Sequence, residues 1–319
     1  MRRRARLFAV MLMAVGPGIA PHSLQAEAAP PSTSTTQVVL LGTGNPPVDP
    51  DRSGPATAIV VNDTPYLIDM GAGLVRRAKS AVVDKGVTGL DPLKLRVVFV
   101  THLHSDHTVG YPDLWLTPWV LGRRAPLEVY GPVGIVPMTQ HLMEAYRVDH
   151  EVRTEDRKIY GGRTTEEGHR INAHEIKPGV IYRDANVTVT AFPTNHGMPS
   201  FGFRFDTPDR SIVISGDTTP IQATIDACNG CDVLIHEVMT KDWLAKRPDF
   251  VRYREQHHTT TDELVVLATK ARPRLLILYH ASLSLRPSVD SERSSAATLL
   301  KEMSAYQGQV VVGRDLDVY

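Results

Sequence analysis

Thr101-His102-Leu103-His104-Ser105-Asp106-His107-Thr108-Val109-Gly110 sets four potential metal ligands within six residues. It grows out of Leu95–Thr101 (LRVVFVT), a near-continuous apolar run of the kind a strand covered on both faces requires. On an extended chain His102 and His104 share a face by the period of two. A turn must then bring Asp106 and His107 to the same centre or to a neighbouring one. Imidazole suits Zn2+, and a carboxylate adds neutralising charge. A lone histidine is usually packed or solvated; three with an aspartate at this spacing, after a buried strand, predict a metal site.

One cluster cannot close two sites, so further ligands belong at other strand ends. His196 follows the run ending Ala191-Phe192-Pro193. Asp217 lies in Ser215-Gly216-Asp217-Thr218, just past Ser211–Ser215, and His280 follows Leu275–Tyr279. Each sits beyond the carboxyl end of an apolar run, where loops gather into functional sites. Any one alone would read as a surface residue; three in the same relative position predict convergence.

Further out, β-branched or apolar runs alternate with turn residues. Gln37–Gly42, Thr57–Asn62 and Tyr66–Asp69 read as strands, Ala72–Val83, Tyr111–Leu121 and Val136–Val148 as helices. Asp149–Arg170 is polar and reads as a solvated surface excursion, with a lid or an oligomer contact as the sharper alternative. Strand character returns at Ile171–Ile176, Val180–Tyr182, Asn186–Phe192, Phe201–Phe205 and Ser211–Ser215. Helix and strand then alternate: Ile221–Cys228, Asp232–His236, Thr261–Ala271, Leu275–Tyr279, Ser291–Ser304 and Val310–Val312. Two β-rich halves, each with helices, predict an α/β fold: a four-layer αββα sandwich over residues 37–319.

The N-terminus is separate. Met1-Arg2-Arg3-Arg4 supplies positive charge, Leu7–Val15 an apolar run too short for an ordinary membrane span, and Ala26-Glu27-Ala28 a small-x-small site. Residues 1–28 read as a signal peptide and 29–36 as a flexible lead-in, so a periplasmic or secreted chain without a stable membrane anchor is expected. Cys228 and Cys231 are the two cysteines; two alone do not make a structural zinc site, which takes four ligands, and a local disulfide is favoured over two buried thiols. Lys plus Arg equals Asp plus Glu at 35 each. That balance gives no global attraction to a polyanion, though local basic patches stay open.

The order H-x-H-x-D-H, a later His, G-D-T, and a last His after an apolar strand resembles the metallo-β-lactamase superfamily. Leu41-Gly42-Thr43-Gly44-Asn45-Pro46, Leu67-Ile68-Asp69, Tyr130-Gly131-Pro132, Ile235-His236-Glu237, His257-His258-Thr259-Thr260-Thr261 and Leu278-Tyr279-His280-Ala281-Ser282 resemble its ribonuclease Z-like branch. Type III arylsulfatases and some cyclic-nucleotide phosphodiesterases share this architecture. The resemblance implies one Zn2+ on His102, His104 and His196 and a second on Asp106, His107 and His280, bridged by Asp217, with Mn2+ or Fe as alternative metals. It also implies a hydroxide held between two cations as the nucleophile, and a catalytic set of His258, Glu237 and Asp106. In that set His258 is the acid oriented by Glu237, with His257 the competing neighbour. Asn45, Arg52 and Thr218 are weaker candidates for substrate contact.

Two features shape the expected substrate. Ribonuclease Z enzymes carry a long tRNA-gripping arm between the third metal motif and G-D-T, whereas Asp217 follows His196 by only 21 positions. An exported enzyme would not meet precursor tRNA. The expectation is therefore a small-molecule anionic sulfate or phosphate ester, with no nucleic-acid partner and room for a homo-oligomer. A lactone or β-lactam hydrolase is the alternative enzyme, and a non-catalytic metal-binding protein the alternative of another class.

Overall fold

The computed structural model describes residues 35–283 and 294–319. The expected signal peptide at 1–28 and the expected lead-in up to residue 34 lie outside the described residues. In chain order the first half contributes β1 (Thr36–Gly42), β2 (Ala56–Val61), β3 (Thr64–Ile68), α1 (Leu74–Lys85), β4 (Val97–Phe99), α2 (Ser105–Thr108), α3 (Tyr111–Leu121), β5 (Leu127–Gly131), α4 (Ile135–Ala145), α5 (Arg147–Tyr160), α6 (Glu166–His169) and β6 (Ile171–Glu175). The second contributes β7 (Gly179–Arg183), β8 (Thr188–Pro193), β9 (Phe201–Asp206), β10 (Ser211–Ile214), α7 (Gln222–Cys228), β11 (Val233–Glu237), α8 (Lys241–Ala245), α9 (Val251–His257), α10 (Thr261–Ala271), β12 (Leu275–Tyr279), α11 (Ala296–Glu302) and β13 (Val310–Val312).

Strands β1 to β6 form one sheet in sequence order, and β13-β12-β11-β10-β9-β8-β7 form the other. Each half opens antiparallel and closes parallel, the change falling at β3 in the first and β10 in the second. Along β1 the pleat sends Val38 and Leu40 to one face and Val39 and Leu41 to the other. Val38 and Leu40 join Ile59, Phe99, Phe203 and Ile235 between the sheets. Val39 and Leu41 meet Leu74 and Trp115 under the first set of helices. On the far face of the second sheet Val213, Leu234 and Leu276 pack with Leu264 and Leu299. The result is the expected α, β, β, α layering.

Phe99 shows how this core positions the site. Its ring meets Tyr130 at 5.3 Å, Phe205 at 5.5 Å, Tyr182 at 5.7 Å and Phe203 at 5.8 Å between ring centroids. Aromatic pairs at such distances add stabilisation beyond area burial. They pin β4 three residues before His102.

The structure also departs from the sequence expectations. Thr36 already belongs to β1 rather than to the lead-in. The stretch 149–170, read as a solvated excursion, contains most of α5 and all of α6. Helix α5 buries no residue, and its apolar positions Val148, Val152 and Ile159 stay exposed among charged neighbours. It draws instead on charge pairs at i, i+4, Arg147 with Glu151 and Arg153 with Asp149. Cys228 and Cys231 are joined by a disulfide, the favoured pairing. Among the described residues no helix is long and apolar enough to cross a membrane.

Candidate metal centre

The chain leaves β4 extended and remains so to His104, whose backbone (φ −63°, ψ 149°) precedes α2. That single turn swings Asp106 and His107 back toward His102. Asp69, buried at the end of β3, secures the corner. It accepts the Thr101 backbone N–H at 2.8 Å, the Thr101 hydroxyl at 3.0 Å and the His107 Nδ1–H at 2.8 Å. Its φ of +61° is rarely adopted by residues with side chains, and these donors sustain it. Sequence reasoning gave Asp69 no role beyond resemblance. The available signal was an acid ending an apolar strand before Gly71 and Gly73.

Hydrogen bonds settle the tautomers on the inner side. His196 Nδ1 lies 2.7 Å from the His257 carbonyl, which can only accept, so Nδ1 carries the proton and Nε2 the lone pair. His107 Nδ1 is likewise committed to Asp69. Thr101 gives its hydroxyl proton to Asp69, so its oxygen accepts from His102 Nδ1 at 3.0 Å. Three Nε2 lone pairs thus point inward. Those of His102 and His196 each approach His104 Nδ1 to 3.0 Å, and that of His107 approaches His280 Nε2 to 3.2 Å. One proton on His104 serves two lone pairs poorly, whereas a cation at the centre meets all three.

Asp217 stands between two groups of donors. Its Oδ2 is 4.0 Å from His102 Nε2 and 3.7 Å from His196 Nε2. Its Oδ1 is 3.6 Å from His107 Nε2 and 3.5 Å from His280 Nδ1. Asp106 Oδ2 completes the second group, 3.1 Å from His280 Nε2 and 3.5 Å from His107 Nε2. Asp217 Oδ1 is buried with no hydrogen-bond partner among the described residues, which costs about 1–3 kcal/mol or more for a charged atom. Donors of His102, His104 and His196 lie within 4.8 Å of one another, as do those of Asp106, His107 and His280. The donor set fits two divalent cations sharing Asp217. All seven sequence-predicted metal residues are brought together.

The electrostatics favour the same arrangement. Burial holds His102 well below the ordinary imidazole value and His196 down to about 4. Both are therefore neutral donors at neutral pH. Burial also acts on His107, but the Asp69 and Asp217 carboxylates outweigh it and lift it well above its usual value. This position therefore draws positive charge, and a cation on Nε2 would take the place of the proton the carboxylates otherwise hold there. Asp217, which burial alone would raise, is held well below the carboxylate range by His280 and His107.

Beside the cluster, Glu237 at the end of β11 and His258 after α9 form a buried pair, Nδ1 to Oε1 at 3.3 Å. Backbone N–H groups of Thr259 and Thr218 fix the same oxygen at 3.0 and 3.3 Å. Burial pulls His258 down, but Glu237 outweighs it by charge and hydrogen bond and leaves it above its ordinary value. The His258 ring lies 5.1 Å from that of His196. His257 instead gives its backbone carbonyl to His196, so the adjacent histidines have distinct places.

The weaker candidates fall differently. Arg52 is a buried strut, donating to the Ala281 and Leu283 carbonyls at 2.8 and 3.3 Å and so holding the loop after His280. Thr218 is buried, its hydroxyl donating to the Thr219 carbonyl at 2.8 Å. Asn45 is half-buried and donates to Ser282 at 2.8 Å.

A family model described as "Beta-lactamase superfamily domain" matches residues 64–281. Ribonuclease Z of Mycobacterium bovis (strain BCG / Pasteur 1173P2) is 32% identical over 88% of this chain and 96% of its own length. Ribonuclease Z of Mycobacterium sp. (strain KMS) is also 32% identical, over 88% of this chain and 94% of its own. The metallo-β-lactamase fold protein YhfI from Bacillus subtilis superposes with a TM-score of 0.65 at 18% identity, covering 89% of this chain and 99% of that one. The short form of human tRNase Z gives 0.62 at 23% identity, covering 89% and 98%. At these identities the two structures speak for the fold.

The mycobacterial relatives overturn two expectations: the small sulfate or phosphate ester as substrate, and the absence of a nucleic-acid partner. Both rested on the missing tRNA-gripping arm and on expected export. An arm is an appendage, and the relatives align along the body of the chain that carries the ligands. The matching family is one of metal-dependent hydrolases, and the chain belongs to it: to the metallo-β-lactamase superfamily, in its ribonuclease Z-like branch.

Proposed function

We propose that the chain is a zinc-dependent phosphodiesterase of ribonuclease Z type, cleaving a phosphodiester bond in RNA. The reading is carried by identity to ribonuclease Z relatives along nearly their whole length, with a held acid beside the ligand cluster. His102, His104 and His196 would hold one cation, Asp106, His107 and His280 the other, and Asp217 both; imidazole-rich donors with carboxylates suit Zn2+. When bound, such a pair supplies Lewis-acid stabilisation of the phosphoryl oxygens and a water that ionises near neutral pH.

The remaining chemistry belongs to the chain. Asp69 and the His257 carbonyl keep the lone pairs of His107 and His196 turned inward. An alkoxide leaving group needs a proton, and His258 carries one at Nε2 while Nδ1 faces Glu237. Its raised pKa keeps more of it protonated at neutral pH. The direct experiment is to incubate the protein with a precursor tRNA bearing a 3′ trailer, with and without chelator, and then to restore zinc. Cleavage lost on chelation and regained with zinc is expected. No cleavage of any RNA, or cleavage indifferent to chelator, overturns the reading.

Export is also proposed, on the N-terminal pattern and on a disulfide of the kind oxidising compartments sustain. Mass spectrometry of protein from the producing cell would then find mature chains beginning after Ala28. Intact N-termini would refute it, and in an exported enzyme the RNA cleaved would be one met outside the cytoplasm.

A further inference from the structure

Beside His258 lies a row of rings that the reaction itself does not use. Trp243 of α8 packs with Met239, Leu244 and Phe250, its ring 5.1 Å from that of Phe250. Phe250 in turn lies 4.7 Å from Tyr253 of α9. Tyr253 lies flat on His257, with centroids 3.9 Å apart and planes 6° from parallel. This stack borders the site: Tyr253 is 5.9 Å from the His258 ring, and His257 is 5.3 Å from the His196 ring.

The stack is fixed from behind. His257 Nδ1–H donates to the Tyr253 carbonyl at 2.7 Å. The far edge of the imidazole rests on Gly197 (φ +70°), where a Cβ would lie 2.4 Å from Nε2. Arg254 binds both carboxylate oxygens of Glu263 at 2.9 and 3.0 Å and so ties α9 to α10. Burial first, and then the Asp217 and Asp106 carboxylates, push the Tyr253 hydroxyl above its ordinary value. Yet 39% of Tyr253 stays exposed. Tyr253 is thus held by His257 and Phe250, and its exposed part borders the ligand cluster as a surface on which a base can stack.

We propose that Tyr253, backed by His257, stacks one nucleobase flanking the scissile phosphodiester and so selects unstacked, single-stranded RNA. The proposal rests on the ribonuclease reading above. Every base offers a π face, so stacking of this kind is tolerant of sequence. It favours single strands because a base held in a helix already has both faces covered.

The test begins by mapping the bond that the wild-type protein cleaves in a short RNA. An analogue is then made with a methylphosphonate at that bond and 2-aminopurine in a flanking position. Binding is followed by fluorescence quenching for wild type, Tyr253→Ala and Tyr253→Phe, with zinc content checked in each. Wild type and Tyr253→Phe should quench the probe. Tyr253→Ala should lose the quench and bind about 5- to 150-fold more weakly, with zinc content retained. An abasic flanking nucleotide should weaken wild type but weaken Tyr253→Ala no further. Equal quenching by Tyr253→Ala, or an abasic penalty as large in that variant as in wild type, overturns the platform while leaving the nuclease reading intact. Failure of Tyr253→Phe to restore binding assigns the role to the hydroxyl and also overturns it. A wild-type protein that cleaves no RNA removes the nuclease reading, and the platform with it.

Discussion

At the scale of single residues, the site separates groups that hold from groups that orient. Asp69 touches no reacting atom, yet it fixes the His107 tautomer and, through Thr101, that of His102. Partners of this kind typically govern metal affinity by about 10- to 100-fold. Asp69→Ala should therefore weaken zinc binding by that order in a chelator competition, with the fold retained by circular dichroism; unchanged affinity would show the tautomers to be set elsewhere. His258 makes the opposite prediction. Its imidazole faces Glu237 and belongs to neither of the two triads assigned to the cations, although its ring also comes within 4.8 Å of the donor atoms of His196 and Asp217. His258→Ala should lower RNA turnover by about 10²- to 10⁴-fold while bound zinc stays at the wild-type amount. Loss of zinc along with turnover would make it a ligand.

Among elements, the C-terminal ends of parallel strands do the gathering. β10, β11 and β12 run side by side and parallel, so Glu237 at the end of β11 and Asp217 and His280 just past β10 and β12 fall along one edge. Helix α10 matters to this edge because His258 and Thr259 lead directly into it. Its start is a capping box, with Thr260 and Glu263 exchanging side-chain to backbone hydrogen bonds. Thr260→Ala should destabilise the protein by about 1 kcal/mol. In urea this would lower the midpoint without changing the slope; an unaltered midpoint would mean the turn is held by its neighbours alone.

For the whole molecule, the seven candidate ligands come from both sheets, so bound cations would join the two. His102, His104, Asp106 and His107 follow β4 of the first sheet, and His196, Asp217 and His280 follow strands of the second. Ligands that bind only the folded state stabilise it, by about 2.7 kcal/mol at a concentration 100 times the dissociation constant. The chelated protein should melt at a lower temperature than the zinc-loaded one, and added zinc should restore the difference. Identical melting curves would argue that the seven side chains do not close around cations together.

How much of this was written in the chain varies by feature. The cluster from His102 to His107 was legible because chemistry concentrates there in one short stretch after an apolar strand. His196, Asp217 and His280 were legible by their shared place beyond strand ends, and the αββα layering by the order of buried runs. The charged helix α5 and the ring-bearing α8 and α9 were not, since the few apolar positions of α5 are outnumbered by charges and α8 and α9 are too short to show a repeating apolar face. The role of Asp69, the bridging stance of Asp217 and the backing of Tyr253 by His257 come from tertiary structure alone. Each is a meeting of side chains far apart in sequence, and only the packing of the two sheets and their flanking helices sets those distances.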